Sequence, residues 1–146
     1  MMSQQASQPL RSRVELFLEP ASKTNKLPDT AALVNVLEKF SEGHAAVVIV
    51  DSQERPVGIF TPSDMTRIRQ AFLQDRKTPA KDLMSAPVEW VELSDTIEHA
   101  LDLMQSKGIH TGIAVVTDRR SQKYAGYLYR SSMAKMLSAM LGPKAF

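Results

Sequence analysis

Gly58-Ile59-Phe60-Thr61-Pro62-Ser63-Asp64 is the stretch of this chain whose residue types and spacing can do chemistry. An apolar strand over residues 57–60 runs into a Thr-Pro-Ser-Asp turn, and the pattern beyond predicts an amphipathic helix from 62 to about 75. Thr61 has the character of an N-cap, Pro62 takes the first helical position, where no N–H is needed, and Asp64 follows the cap by three residues. A helix start leaves amides without partners and carries partial positive charge, which suits a phosphate. The Thr61 hydroxyl adds a donor, and the Asp64 carboxylate can accept from a pair of ribose hydroxyls. The same spacing is equally an ordinary capping box, in which cap and acid close the helix end with no ligand present. Both readings stand at this point.

Other chemistries find less support. The chain has no cysteine, which excludes disulfides, thiol catalysis and cysteine-ligated metal. His44, His99 and His110 lack metal-ligand spacing, and neither a Ser-His-Asp order nor a paired-carboxylate signature is recognisable. No catalytic residue, no metal and no required cofactor is therefore expected. The 146 residues suffice for one domain or for two small repeats sharing a core, and 43% apolar with 23% charged residues is ordinary for a folded protein. A net charge of +2, with basic residues interleaved among acids, argues against nucleic acid as a partner. The longest apolar run, residues 45–50, is far short of a membrane span. Residues 1–10 are rich in Ser and Gln without an apolar core, so a disordered lead-in is expected rather than a signal peptide, and the cytoplasm is the expected location.

The elements that position the Thr61 stretch recur along the chain. Residues 11–20 predict a short helix ended by Pro20, and a loop follows over 21–26. Leu27-Pro28-Asp29-Thr30 predicts a helix start, with Leu33, Val36, Leu37 and Phe40 on one stripe and Gly43 as its stop. The β-branched run from His44 to Val50 reads as a strand buried on both faces. A turn over 51–56, the strand over 57–60 and a helix with Met65, Ile68, Phe72 and Leu73 inward complete the unit. After a polar linker near 76–78 the events repeat. Ala80 to Pro87 echoes 14–21, Val88-Glu89-Trp90-Val91 reads as a strand, and Leu93-Ser94-Asp95-Thr96 matches Leu27-Pro28-Asp29-Thr30. Asp95 and Glu98 have capping-box spacing, Ile97, Ala100, Leu101 and Met104 form the stripe, and Gly108 closes it. The run from His110 mirrors that from His44, Gly126 matches Gly58, and a last helix carries Met133, Met136, Leu137 and Met140 before Gly142-Pro143. This is an internal repeat, offset by 66 residues at the Leu-x-Asp-Thr starts, by 64 along the helix faces and by 68 at the second glycine.

A strand–helix–strand–strand–helix unit occurring twice, with Gly-hydrophobic-x-Thr-x-x-Asp at the second strand–helix junction, resembles the CBS domain pair, or Bateman module. Asp82-Leu83-Met84-Ser85-Ala86-Pro87 is similar to that family's repeat opening, and residues 95–104 are similar to its first helix. The resemblance implies an α/β (α+β) fold of tandem repeats, 11–76 and 77–142, packed sheet to sheet about a pseudo-two-fold axis with two clefts between them. It implies that such clefts hold adenosine-containing ligands, namely AMP, ADP, ATP or S-adenosylmethionine, with or without Mg. Carried onto this chain, Gly58, Ile59, Thr61, Pro62, Ser63 and Asp64 form one wall, with Asp64 on ribose and the Thr or Ser on phosphate. Lys81, Met84, Val88, Ile109, His110 and Thr111 form the other. Met84, Val88 and Ile109 offer apolar surface for a purine, while Lys81 and His110 offer charge or donors for phosphate. Lys81 is as readily a solvated side chain, and His110 a locally bonded one.

The second cleft departs from that pattern, with Tyr129 in the place of Thr61 and Ser132 in that of Asp64. Without the acid ribose recognition weakens, Tyr129 can fill the cleft, and at most one competent site is expected, although Arg130 can still attract an anion. The leading expectation is a regulatory sensor that acts on an unknown protein partner and forms a homodimer. The alternative is a ligand-free dimerisation or scaffold module, with a face supplied by Met133, Met136 and Met140 or by Met65 and Ile68, in which the Thr61–Asp64 box only caps.

Overall fold

A computed structural model describes residues 11–20 and 25–141, apart from the side chains of Pro20, Met136, Met140 and Leu141. The expected lead-in over 1–10 and the Gly142-Pro143 stop lie outside the described residues. Strand β1 (Glu19–Pro20) precedes β2 (Lys26–Pro28), α1 (Leu33–Ser41), β3 (Val47–Val50), β4 (Pro56–Phe60) and α2 (Met65–Gln74). Then come β5 (Trp90–Glu92), α3 (Ile97–Lys107), β6 (Gly112–Val116), β7 (Tyr124–Tyr129) and α4 (Arg130–Leu141). One sheet has the order β2-β3-β4 and the other β1-β7-β6-β5. In each, the middle hairpin is antiparallel and the outer strand β2 or β5 is parallel to its neighbour.

Strand β3 shows why its sequence is a continuous β-branched run. Side chains alternate across a strand, and both faces of this one are covered. Val47 and Ile49 join Leu33, Val36, Phe60 and Ile68 in the core beneath α1 and α2. Val48 and Val50 point the other way and meet Ala114, Tyr124 and Tyr127 of the second sheet. Strand β6 divides likewise, with Ile113 and Val115 under its own helices and Ala114 in the shared layer. The two repeats therefore pack through their sheets, and that shared layer fixes the crevices at its two ends.

The repeats also exchange their opening segments. Val14, from the start of the chain, is fully buried in the second repeat's core, and Ala80 is fully buried in the first's. Val14 N–H donates to the Asp95 carbonyl at 2.8 Å, and Ala80 N–H to that of Ala31 at 2.8 Å. Further along, β1 pairs with β7 at Glu19 and Tyr127, while Ser85 exchanges two backbone bonds of 3.0 Å with Ile59 on β4. Both crossings pass over a glycine. A Cβ on Gly58 would meet the Met84 side chain, and one on Gly126 would meet Leu18 and the Glu19 carbonyl.

Several expectations need correction. From Arg13 to Pro20 the chain holds a one-turn 3-10 helix, Val14–Leu16, and then strand β1, because the pairing is supplied by the second repeat. Leu27-Pro28-Asp29-Thr30 does not start a helix. Lys26–Pro28 is a strand, and α1 is capped at Ala32, whose N–H donates to Asn35 Oδ1 at 3.0 Å. In the second repeat the cap is Thr96, accepting from His99 N–H at 3.1 Å, while Asp95 accepts from Glu92 N–H at 2.7 Å. The structural counterpart of Thr96 is thus Ala32, not Thr30, so the offset there is 64 residues. It returns to 66 because α3 has 11 residues where α1 has 9. Leu73 is exposed rather than inward, whereas Met133 and Ile68 are buried in their own repeats and cannot form a dimer face. The side chains of Met136 and Met140 lie outside the described residues.

Candidate functional site

Between the repeats, at the end of β4, lies a cleft of about 450 Å³. One wall comes from Ile59, Thr61 and Ser63 of the first repeat, the other from Val88, Ile109, His110 and Thr111 of the second. These are seven of the residues carried over from the sequence. Pro87, Glu89, Gly108, Gly112, Ile113, Ala114 and Tyr127 line it as well. Ile59, Val88, Ala114 and Tyr127 make the interior apolar, while Thr61, Ser63, Glu89, His110 and Thr111 supply polar groups. The size and this composition, an apolar slot with a few convergent polar groups, suit a small flat molecule.

The Thr61 turn begins as a single 3-10 turn, Pro62–Asp64, before the α-helix α2 takes over. Asp64 Oδ2 accepts the Thr61 N–H at 2.8 Å, so the acid does close the helix end. The Thr61 hydroxyl instead lies 2.8 Å from that of Ser63, and both side chains face the cleft. Asp64 Oδ1 pairs with Arg67 at 2.9 Å, and Arg67 also donates to the Leu83 carbonyl at 2.6 Å. Arg67 therefore ties α2 to the crossing segment before Ser85, and the carboxylate of Asp64 is turned to this tie rather than lining the cleft.

The other residues carried over lie elsewhere. Gly58 is buried under Met84, and Met84 packs against the first repeat's core instead of offering a purine surface. Lys81, in the 3-10 turn Ala80–Asp82, and Pro62 are exposed and do not line the cleft. His110 is exposed at the mouth, and it also borders a neighbouring hollow of about 390 Å³ together with Arg130. Pro87, Glu89, Gly108, Gly112, Ile113, Ala114 and Tyr127 are not among the residues the sequence assigns to the cleft. Which face of a strand looks into a crevice is decided by how the sheets cross, and no local motif marks it.

The second cleft is closed at the positions equivalent to Thr61 and Glu89, where Tyr129 and Asn25 meet, while a shallow hollow of about 450 Å³ lined by Ala45, His110, Thr111, Tyr129, Arg130, Ser131 and Ala134 remains beside them. Asn25, only 4% exposed, donates to the Tyr129 hydroxyl at 3.2 Å and accepts from that of Tyr124 at 2.7 Å. The rings of Tyr127 and Tyr129 sit 4.7 Å apart, tilted by 57°. Burial, reinforced by nearby Glu19, pushes the Tyr129 hydroxyl up to about 12, and burial raises Tyr124 and Tyr127 further. All three phenols stay neutral at physiological pH. Among the described residues no three His, Cys, Asp or Glu side chains gather as metal ligands, and no helix is long and apolar enough to cross a membrane.

Two sheets joined through exchanged openings, with a crevice at the Thr-Pro-Ser-Asp turn, are the architecture of a tandem CBS module. The family model for the CBS domain matches residues 25–71 and 80–139, and the chain belongs to that family. Among curated proteins it is 34% identical over 82 residues to an uncharacterized protein of Methanopyrus kandleri, a match covering 55% of this chain and 42% of that relative's length. Similar solved structures include a CBS domain-containing protein of unknown function from Bacillus anthracis, with a TM-score of 0.76, 16% identity and coverage of 91% and 97% of the two chains. CBSX2, solved in complex with AMP, gives a TM-score of 0.71 at 17% identity over 88% of this chain and 97% of its own. CbpB, solved in complex with c-di-AMP, gives 0.73 at 18% identity over 99% and 96%. At such identities these likenesses concern the fold.

Proposed function

We propose that the chain is a regulatory module that binds one adenosine-containing nucleotide, such as AMP, ADP, ATP or S-adenosylmethionine, in the cleft at Thr61. It has no catalysis of its own, acts in the cytoplasm as a homodimer, and signals to a partner protein. The observation that carries this reading is the open crevice of about 450 Å³, apolar within and polar at Thr61, Ser63, His110 and Thr111. An adenine ring fills the apolar slot, and an anionic tail meets the hydroxyls and His110; Mg accompanies a di- or triphosphate without being required. Because the walls belong to different repeats, a ligand that fits one relative arrangement better shifts the population toward it, and a partner reads that shift. The structural relatives solved with AMP and c-di-AMP support a nucleotide as the ligand class.

The test is thermal unfolding of the full chain with each of the four compounds, since a ligand specific to the folded state stabilises it by about 2.7 kcal/mol at a hundred times its Kd. No shift with any of them at millimolar concentration rejects the proposal.

One observation favours the scaffold reading. Asp64 spends its carboxylate on the Thr61 amide and Arg67. If the box only caps, Asp64→Ala costs about 1 kcal/mol and leaves the response to AMP unchanged. On the sensor reading the same variant also weakens AMP binding, because the Thr61–Ser63 wall loses its anchor. Calorimetric titration of the variant separates the two.

A further inference from the structure

The internal symmetry lets the open cleft be read through the closed one. Asn25 and Glu89 stand at equivalent places, each just before the outer parallel strand of its sheet, β2 or β5. Tyr129 and Thr61 are likewise equivalent, three residues beyond Gly126 and Gly58, which pair with Val115 and Ile49. In the closed cleft the Asn25 side chain is turned inward and satisfies two phenol hydroxyls, one of them from Tyr129. A polar subsite thus belongs to this position, and there the protein's own rings occupy it.

In the open cleft the same position is Glu89, while the opposing side chain shrinks from Tyr129 to Thr61, whose hydroxyl is taken up by Ser63. Glu89 lines the cleft and is its one carboxylate among the described lining residues. Its one ion-pair partner among the described residues, Lys107, is 3.7 Å away, beyond hydrogen-bond distance, so the carboxylate keeps acceptor capacity. An ionised carboxylate accepts hydrogen bonds and offers none, and it repels phosphate.

We propose that Glu89 sets the specificity of the cleft by accepting hydrogen bonds from an uncharged donor group of the nucleotide, an exocyclic amine or a ribose diol, placed where the Tyr129 hydroxyl sits in the closed cleft. The ligand's anionic part is thereby directed away from Glu89, to the Thr61, Ser63 and His110 end. The inference rests on the nucleotide reading of this cleft and adds to it the residue that recognises the neutral part of the ligand.

The experiment is calorimetric titration of the full chain and of Glu89→Gln with AMP, with inosine monophosphate, which lacks the amine, and with 2′-deoxyadenosine monophosphate, which lacks the diol. Expected is a preference of wild type for AMP over at least one analogue of about tenfold or more, collapsing in Glu89→Gln through about tenfold weaker AMP binding. The analogue that loses its handicap identifies the donor as amine or diol. Lys107→Met is expected to keep the preference, since Lys107 does not line the cleft. Wild type that binds AMP while Glu89→Gln retains both affinity and preference overturns the inference alone, as does loss of preference in Lys107→Met. Wild type that binds none of the three overturns this inference, and the nucleotide reading falls with it when ADP, ATP and S-adenosylmethionine fail to bind as well.

Discussion

The two clefts of this molecule occupy equivalent positions in one pseudo-symmetric fold, yet the place between Thr61 and Glu89 is open in one and filled by Tyr129 and Asn25 in the other. Four substitutions between equivalent places account for the difference. Ile59, Thr61, Asp64 and Glu89 border or support the open cleft, while Tyr127, Tyr129, Ser132 and Asn25 hold their places in the closed one. Two aliphatic or hydroxyl side chains have become rings, and the acid opposite has become an amide that can donate as well as accept. Asn25 needs both capacities, because it donates to one phenol and accepts from another. A glutamate there could only accept, and would be buried with its charge. At the second junction the polar position of Asn25 and Tyr124 has therefore become part of the fold's interior, whereas in the open cleft the position of Glu89 has been kept free of protein.

The symmetry also extends to the crossings, and breaking them has the largest expected effect. Gly126 has a φ of +152°, and its missing Cβ leaves room for the Glu19 carbonyl, a backbone atom that cannot swing aside. Gly58 faces the Met84 side chain, which has rotatable bonds to spare. Gly126→Ala is expected to lose about 3 kcal/mol, from backbone strain and overpacking together, and Gly58→Ala about 1 kcal/mol. Denaturant midpoints of the two variants measure the contrast, and equal losses would show that the crossings are equally compliant.

Next in size is the attempt to turn one cleft into the other. Tyr129→Thr with Ser132→Asp restores the residue types of Thr61 and Asp64 at the second junction. Losing a half-buried ring costs about 2 kcal/mol of stability, while the number of AMP molecules bound per chain is expected to rise from one to two. Wild type that already binds two equivalent nucleotides contradicts the expectation of a single site, and a variant that still binds one shows that Tyr124 and Asn25 suffice to keep the cleft shut.

How much of this was legible in the sequence follows the range of the interactions. Strand β3 and the turn at Thr61 announce themselves through local pattern, a β-branched run and a Thr-Pro-x-Asp start, and both are where the residues indicate. Strand β1 has two residues and owes its existence to β7, more than a hundred positions away in the chain, so its own residues read as helix. Leu27-Pro28-Asp29-Thr30 matches Leu93-Ser94-Asp95-Thr96 letter for letter at three places, yet Asn35 and not Thr30 closes α1. A capping box is a local competition, and the nearest side chain able to reach the orphan amide wins it. At the site, the motif located one wall and the strand entrance Ile109-His110-Thr111 part of the other. Glu89 and Tyr127 could not be found, since the crossing of two sheets sets which alternate side chains look into the crevice, and Met84 was misplaced because the crossing segment after the 3-10 turn Ala80–Asp82 lays it against Gly58.

The smallest expected effect at neutral pH becomes a large one in alkali, and it sharpens the contrast between the clefts without any ligand. Burial holds the Tyr124 phenol well above its usual value of 10, and Tyr129 is pushed up to about 12. The sign follows from linkage. In the unfolded chain these tyrosines ionise near pH 10, while in the folded chain they remain protonated, so the folded state binds more protons above that pH. Their contribution is fully present below about pH 10 and is lost progressively as the pH rises through the folded values. Tyr124→Phe removes one titrating group and leaves Asn25 without the donor to its Oδ1, which costs about 1 kcal/mol at pH 7. Above pH 10 its stability is expected to fall less steeply than that of wild type, so the two curves converge. Urea midpoints between pH 7 and 11, with tyrosinate absorbance followed in parallel, check this. Parallel curves would show that Tyr124 is reached by solvent and that the second cleft is less tightly closed than its hydrogen bonds indicate.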